Sequence, residues 1–170
     1  SKRTRFAVEI MEAIRGEIGD DFPVILRFSQ WKQQDFEAKL AQTPEELEQF
    51  LSPLSDAGVD IFHGSNRRFW EPEFEGSSLN LAGWVKKITG KPTISVGSVG
   101  LTEEFVATYR DGSAEVAGID ELISRMEADE FDLIAVGRAL LANPNWADKI
   151  RNKDMDSIET FSKEQLTELV

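Results

Sequence analysis

Short apolar runs alternate with amphipathic stretches along this chain. Four runs, PVILRFS, VDIFHGS, PTISVGS and FDLIAVG, predict buried strands, and the stretches between them carry the apolar period of helices. The apolar positions Val24, Val59 and Ile94 lie 35 residues apart, and Leu133 follows 39 residues later. Such a regular strand–helix alternation is typical of parallel βαβ units. The pattern therefore predicts an α/β fold with a leading helix and about four parallel βα units.

Helix boundaries are marked by capping residues. Thr43 predicts an N-cap, with Glu46 completing a capping box, and residues 162–165 repeat the motif near the C-terminus. Gly90 predicts the end of the helix before the third strand. No linker or low-complexity segment interrupts the series, so we expect residues 1–170 to form a single domain.

The composition argues against several classes of binding partner and against a metal site. The formal net charge of −12 argues against nucleic acid and anionic membranes, which require basic surfaces. The sequence has no long apolar run and no secretory signal at its first residues, and it lacks cysteine, so we expect no membrane span and a cytoplasmic protein. With His63 as the one histidine, no metal site is predicted.

Glycine follows two neighbouring predicted strands at the point where each ends. Gly97 and Ser98 come after the third strand, and Gly137 and Arg138 after the fourth. Ligands of α/β folds bind at the carboxyl ends of strands, where backbone N–H groups and an arginine suit a phosphate. We interpret these four residues as a phosphate site. The alternative is that Gly137 only permits a tight turn while Arg138 points to solvent.

Arg27 lies inside the first predicted strand. Strand alternation places it on one face with Ile25 and Ser29, and a buried guanidinium needs an anion or a polar partner. It is either a fixed cation for a ligand's negative charge or one half of a salt bridge.

The long loop GSNRRFWEPEFEGSS, with two adjacent arginines, is either a lid or ligand wall or a self-packed surface loop. The neighbouring His63 is more typical of a structural residue than of a catalyst. Trp31 is likewise either a structural or a functional residue. No catalytic residue is assigned.

The segments RFAVEIMEAIR, VILRFSQ, AGVDIFHGS, PTISVGSVG and LIAVGRALLANPNW, in this order, resemble the C-terminal half of the old yellow enzyme family. The resemblance covers residues 4 to about 149. It implies a partial (β/α)₈ TIM barrel, the second half of that fold. It also implies FMN as cofactor, NAD(P)H as reductant and a small electron-poor molecule as hydride acceptor.

The resemblance assigns roles to the five candidate residues. Arg27 would face the pyrimidine edge of the flavin, and Gly97, Ser98, Gly137 and Arg138 would contact the FMN phosphate. Members of the family carry four further strands and a histidine-containing pair that binds the acceptor, which this chain lacks. We therefore expect a phosphate-binding half that is inactive alone. The alternatives are a non-catalytic phosphate-ligand or partner-binding module and a different phosphate-binding barrel enzyme.

Four strands of a barrel leave two unpaired edges. Such edges invite pairing with another chain, so we expect a homodimer or a partner that completes the barrel. The alternative is a flattened sheet covered by the first helix, with Phe6, Ile10 and Ile14, and by the C-terminal tail.

Overall fold

The computed structural model of the chain describes residues 4–167. Its helices are α1 (Arg5–Ile18), α2 (Pro44–Asp56), α3 (Leu81–Thr89), α4 (Phe105–Asp111), α5 (Asp120–Glu127), α6 (Arg138–Ala142) and α7 (Trp146–Arg151), with two 3-10 helices at Met155–Ser157 and Lys163–Leu166. Its strands are β1 (Ile25–Phe28), β2 (Ile61–Gly64), β3 (Thr93–Val96), β4 (Ser113–Ala114), β5 (Leu133–Ala135) and β6 (Phe161–Ser162). Within these described residues, the helices are too short or too polar to cross a membrane.

The main sheet contains four parallel strands in the order β1-β2-β3-β5. Arg27 on β1 lies beside His63 on β2, which lies beside Ile94 on β3. Val96 on β3 lies beside Ala135 on β5. Helices connect the successive strands, so the predicted α/β fold with four parallel βα units is confirmed.

A second, antiparallel pair joins β4 to β6 and was not predicted. Each strand has two residues, which is too few for an alternating pattern to appear in the sequence. The pair places Ala114 opposite Phe161, and both side chains are buried. It fixes the segment after α7 against the end of α4.

One face of the main sheet, which we call the covered face, packs against α1, α2 and α3. Phe62 on β2 is fully buried there with Leu51 and Leu54 of α2 and Val85 of α3. Burial of large apolar side chains is the main stabilising contribution in such a layer. A second buried cluster, around Phe131 and Trp146, lies beneath α5, α6 and α7.

The other face, which we call the open face, is defined by the residues that alternate with those of the covered face. Its members are Ile25, Arg27, Ile61, His63, Ile94, Val96, Leu133 and Ala135. Ile25 is 51% exposed and Leu133 is 50% exposed. The expectation that Arg27 is buried was wrong, because residues 4–167 leave this face largely uncovered and the arginine is exposed.

Helix α1 forms as predicted and ends at Gly19, whose φ of +70° suits glycine. Its predicted apolar stripe does not cover the open face, since Phe6 is 74% exposed and Ile10 and Ile14 are exposed as well. The helix instead buries Met11, which belongs to the core on the covered face. A sheet covered by its first helix is therefore not the arrangement in this structure.

The predicted caps are present, with one difference. The Thr43 hydroxyl accepts a bond from the Glu46 amide at 3.3 Å, but the Glu46 carboxylate accepts from the Gln42 amide rather than from Thr43. The box at residues 162–165 forms with both of its bonds. Gly90 ends α3 with a φ of +65°, as predicted.

Candidate functional site

A cavity of about 840 Å³ opens at the carboxyl ends of the four parallel strands. Its wall includes all five residues predicted from the sequence, namely Arg27, Gly97, Ser98, Gly137 and Arg138. The structure therefore brings together residues that lie up to 111 positions apart in the sequence. The volume is in the range of sites for small molecules and cofactors, roughly 300–1,000 Å³.

The turn after β3 is shaped by a close approach of the loop that follows β2. Gly97 has a φ of +123°, and a Cβ at this position would lie 2.7 Å from the Arg67 carbonyl oxygen. Ser98 also has a positive φ, and its hydroxyl donates to the Glu103 carbonyl at 3.0 Å. Glycine is required at position 97 because no other residue leaves room for the neighbouring backbone.

The turn after β5 has a different character. Gly137 has a φ of −115°, and an added Cβ would meet no atom within 4 Å. Crowding therefore does not explain this glycine, and its missing side chain leaves space beside the first turn of α6. A ligand group can approach the backbone closely at such a position.

Arg138 does not point to solvent. Its guanidinium donates to the Glu103 carbonyl at 2.7 Å, to the Glu104 carbonyl at 3.4 Å and to the Thr108 hydroxyl. Burial lowers the pKa of Arg138, and the nearby Glu104 and Glu103 carboxylates oppose this effect. An arginine remains charged under these conditions, so the cavity wall holds a fixed cation. Several of its donors are engaged by the segment that begins α4.

Arg27 reaches the cavity from the open face. Its Nη2 donates to the Ser65 hydroxyl at 3.2 Å, and its Nη1 lies 3.4 Å from the His63 Nε2. Within residues 4–167 it forms no ion pair with a carboxylate, so the salt-bridge alternative is not what the structure shows. Burial, followed by the charge of Arg27, lowers the pKa of His63, so its neutral imidazole can accept from the guanidinium.

The loop after β2 combines the two interpretations that the sequence left open. Asn66 and Arg67 contribute to the cavity wall, whereas Phe69 and Phe74 are buried in the two apolar clusters. Trp31, from the loop after β1, donates its Nε1 proton to the Ser65 carbonyl at 3.0 Å and also lines the cavity. The beginning of the loop is a ligand wall and its remainder is self-packed.

Arg67 is the functional candidate that sequence reasoning did not single out. Its guanidinium lies 4.3 Å from the centre of the Phe36 ring, and its Nη2 is 3.3 Å from the Glu104 carboxylate. The neighbouring Arg68 pairs with Glu71 at 2.8 Å and is not part of the cavity wall. The sequence shows two adjacent arginines, and only the fold distinguishes them.

A buried carboxylate, that of Glu104, pairs with the Arg67 guanidinium. Glu104 is 5% exposed and caps α4, with its oxygens accepting from the Val106 and Ala107 amides at 2.8 Å each. Burial raises the pKa of Glu104, but the two amide bonds and Arg67 outweigh it, so the net pKa is lowered. Glu104 is therefore ionised at neutral pH and balances the positive charge of the wall.

The donor set as a whole suits one kind of ligand. Three guanidinium groups, Arg27, Arg67 and Arg138, face a cavity whose other walls include Val96, Leu140 and further apolar side chains. Guanidinium groups favour phosphate and carboxylate, whereas apolar walls favour a ring system. The cavity is thus suited to a ligand with a ring-shaped body and an anionic end.

Two characterised relatives share sequence with nearly the whole chain. An NADH oxidase of Thermoanaerobacter brockii is 30% identical over 165 residues, which are 92% of this chain and 22% of that protein. An NADPH dehydrogenase of Clostridium acetobutylicum is 26% identical over 166 residues, which are 95% of this chain and 43% of that protein. The chain therefore spans less than half the length of these relatives.

Solved structures show the same fold. An old yellow enzyme homologue from Zymomonas mobilis matches 96% of this chain and 40% of its own, with a TM-score of 0.65 at 13% identity. Morphinone reductase in complex with tetrahydroNAD, as an N189A mutant, matches 94% of this chain and 36% of its own, with a TM-score of 0.61 at 16% identity. The predicted partial (β/α)₈ barrel is thereby confirmed.

The model of the NADH:flavin oxidoreductase / NADH oxidase family matches residues 1–156. This family uses FMN as cofactor with NAD(P)H as reductant. The match excludes the alternative of a different phosphate-binding barrel enzyme. The sequence match, the barrel topology and the cation-lined cavity agree, and the chain belongs to the NADH:flavin oxidoreductase / NADH oxidase family.

Proposed function

We propose that this chain is the FMN-phosphate-binding half of an old yellow enzyme-type barrel, within one domain formed by residues 1–170. The observation that carries the proposal is the convergence of Arg27, Arg138 and the Gly97–Ser98 turn on one cavity at the carboxyl ends of the strands. A phosphate is bound at such positions by backbone N–H groups and a guanidinium. FMN, when bound, would supply hydride transfer from NAD(P)H to an electron-poor small molecule.

The two ends of the cavity have different tasks under this proposal. Arg138 and the Gly97–Ser98 turn hold the phosphate, because the cation and the glycine turns lie together at the ends of β3 and β5. Arg27 faces the flavin ring and stabilises negative charge on it. Ser65 and His63 hold the Arg27 side chain in place for this task.

We further propose that the chain is inactive by itself and needs a second copy or a partner to complete the barrel. The support is the open face, where Ile25 and Leu133 are each about half exposed. Apolar side chains inside a barrel are normally covered by the opposite strands. Moreover, His63 is held beside Arg27, and the sequence offers no second histidine for an acceptor-binding pair.

The proposal is tested by titrating the purified chain with FMN, followed by calorimetry and by the visible absorption spectrum. Charge-assisted bonds contribute about 1.5–3 kcal/mol each, so Arg138→Ala should weaken FMN binding by about one to two decades. Arg110→Ala is the matched control, because Arg110 is exposed on α4 and pairs with Asp111.

Equal FMN affinity of the Arg138→Ala variant and the wild type would contradict the phosphate assignment. A folded wild-type chain that binds no FMN would instead favour the non-catalytic module. The absence of activity is checked by NADPH oxidation with a cyclic enone and excess FMN. Turnover of about 1–10³ per second, as in ordinary enzymes, would refute it.

A further inference from the structure

We propose that Arg67, which is not among the five predicted site residues and has no role in the family resemblance, is an additional phosphate-binding residue of the cavity. The proposal rests on the FMN site proposed above. It concerns the phosphomonoester end of the ligand and not the ring.

The main chain of Arg67 is fixed against the turn that the proposed phosphate site uses. Its carbonyl oxygen lies 2.7 Å from where a Cβ of Gly97 would be and 3.4 Å from the Ser98 hydroxyl oxygen, whose proton is donated to the Glu103 carbonyl. The two backbone segments are therefore in direct contact. The Arg67 side chain therefore begins at the edge of the Gly97–Ser98 turn, and it lines the same cavity.

The Arg67 guanidinium makes fewer hydrogen bonds to the protein than the guanidinium of Arg138, the phosphate-binding arginine predicted from the sequence. Within residues 4–167 its one ion pair is with Glu104, at 3.3 Å, which is longer than the roughly 2.7–2.9 Å typical of a charge-assisted bond. Its Nε is buried without a hydrogen-bond partner. Arg138, in contrast, donates to two carbonyls and a hydroxyl of the protein. Since a guanidinium carries five donors, Arg67 is the less committed of the two cations.

Two neighbours hold the Arg67 side chain in position before any ligand arrives. The Phe36 ring lies on one side at 4.3 Å, and the Glu104 carboxylate contacts Nη2. The side chain nevertheless keeps 30% of its surface exposed, so a ligand can reach it. A side chain that is already ordered loses less entropy on binding, which favours affinity.

The charges around Glu104 favour a doubly charged ligand. Arg67 contacts the carboxylate of Glu104 and Arg138 contacts its main-chain carbonyl, so both guanidinium groups lie around one residue. A phosphomonoester carries about −1.5 to −2 charges at neutral pH. Glu104 offsets one positive charge while the cavity is without ligand, and two cations together balance a dianion better than Arg138 alone.

The test compares FMN with riboflavin, which has the same ring and ribityl chain but no phosphate. Both ligands are titrated by calorimetry into the wild-type chain, Arg67→Gln and the matched control Arg68→Gln. Arg68 is the adjacent arginine, with a similar exposed fraction, and it pairs with Glu71 outside the cavity wall. We expect Arg67→Gln to weaken FMN binding by about tenfold or more and to leave riboflavin binding unchanged. Arg68→Gln should change neither affinity.

Other results overturn the proposal. Equal losses for FMN and riboflavin would show that Arg67 only braces the loops, and no loss for FMN would show that it does not contact the phosphate. If the wild type binds FMN and Arg138→Ala weakens it while Arg67→Gln does not, this inference fails and the proposed function stands. If the folded wild type binds no FMN, both fail. Should Arg67→Gln not fold, Arg67→Lys is measured instead, with a smaller but still FMN-specific loss expected because the charge remains.

Discussion

The two faces of the four-stranded sheet are built from alternate residues of the same strands, yet they differ in almost every physical property. On the covered face, Phe62 is completely buried among leucines of α2 and a valine of α3. On the open face, Ile25 is 51% exposed, and Arg27 and His63 lie side by side. The covered face supplies stability and the open face leads into the cavity, so stability and ligand binding are separated by the direction of alternate side chains.

The open face exposes apolar side chains in the isolated chain. Side chains of the open face are apolar at Ile25, Ile61 and Leu133, as inside a barrel, but residues 4–167 leave them uncovered or only half-buried. The apolar stripe of α1, with Phe6 at 74% exposure, is a separate exposed apolar surface on a helix that packs on the covered face. Neighbouring exposed apolar side chains of this kind are typical of contact surfaces. The same face that forms the proposed ligand site is therefore also the surface that we propose a partner covers.

The largest difference between the faces is expected in stability. Phe62→Ala removes a fully buried ring from the covered face and should lower the free energy of unfolding by about 3–5 kcal/mol. Ile25→Ala on the open face should cost far less, because half of this side chain is already in water. Urea unfolding followed by circular dichroism measures both. Similar losses for the two variants would mean that the open face is covered in solution.

The second prediction concerns association. Analytical ultracentrifugation at micromolar concentration should give a mass well above the 19.1 kDa of the chain. The reason is that the unpaired sheet edges and the exposed apolar side chains of the open face favour association with another chain. The double variant Ile25→Lys, Leu133→Lys places a charge at each edge strand and should sediment near 19.1 kDa. A wild-type monomer that melts cooperatively would contradict the expected pairing.

The third prediction separates the two ends of the cavity. Arg27→Met removes the cation of the open face and should weaken FMN and riboflavin binding alike, by about tenfold, because Arg27 is assigned to the ring. Arg138→Ala should weaken FMN binding selectively. Arg5→Met, at an exposed arginine of α1 that pairs with Glu9, is the control. If Arg27→Met weakens FMN binding but leaves riboflavin binding unchanged, Arg27 contacts the phosphate and its assignment to the flavin ring is wrong.

The smallest effect is expected from His63. Burial and Arg27 lower its pKa in the folded chain below the ordinary value of 6.5, so the unfolded chain binds this proton more readily. Its contribution to stability is therefore complete above pH 6.5 and declines as the pH falls toward the lower folded pKa. The variant His63→Gln has no titratable side chain at this position, so this pH-dependent contribution to stability is absent from it.

The difference in unfolding free energy between wild type and His63→Gln should shift in favour of the variant as the pH falls through this range. Urea unfolding at several pH values measures the difference, and the carboxylates that both proteins share cancel in it. A difference that does not change with pH would show that His63 has the same pKa in the folded and unfolded chain.

Much of the fold was predictable because its signals are local. The four parallel strands followed from apolar runs at a regular spacing, although β1 and β2 begin one or two residues after Val24 and Val59. The pair β4–β6 was missed because two-residue strands carry no periodicity. The burial of Arg27 was predicted wrongly, because the exposure of a strand face depends on what packs against it and not on the strand's own sequence.

The site was predictable only in part, for a similar reason. Residues in or directly after the predicted strands identified five positions of the cavity wall, since the fold places the carboxyl ends of parallel strands together. Arg67 and Arg68 could not be distinguished, because the direction of each side chain depends on the close approach of their loop to Gly97. The engagement of Arg138 by carbonyls of the α4 segment likewise depends on tertiary contacts.

The central claim is that FMN binds at the carboxyl ends of the strands with its phosphate at the turns after β3 and β5. Its most direct test is the perturbation of backbone amide NMR signals of the ¹⁵N-labelled chain when FMN is added. The account predicts the largest shifts at Gly97, Ser98, Gly137 and Arg138, and weaker shifts at these four amides when riboflavin replaces FMN. Shifts confined to other parts of the chain, or equal shifts with both ligands at the four amides, would contradict it.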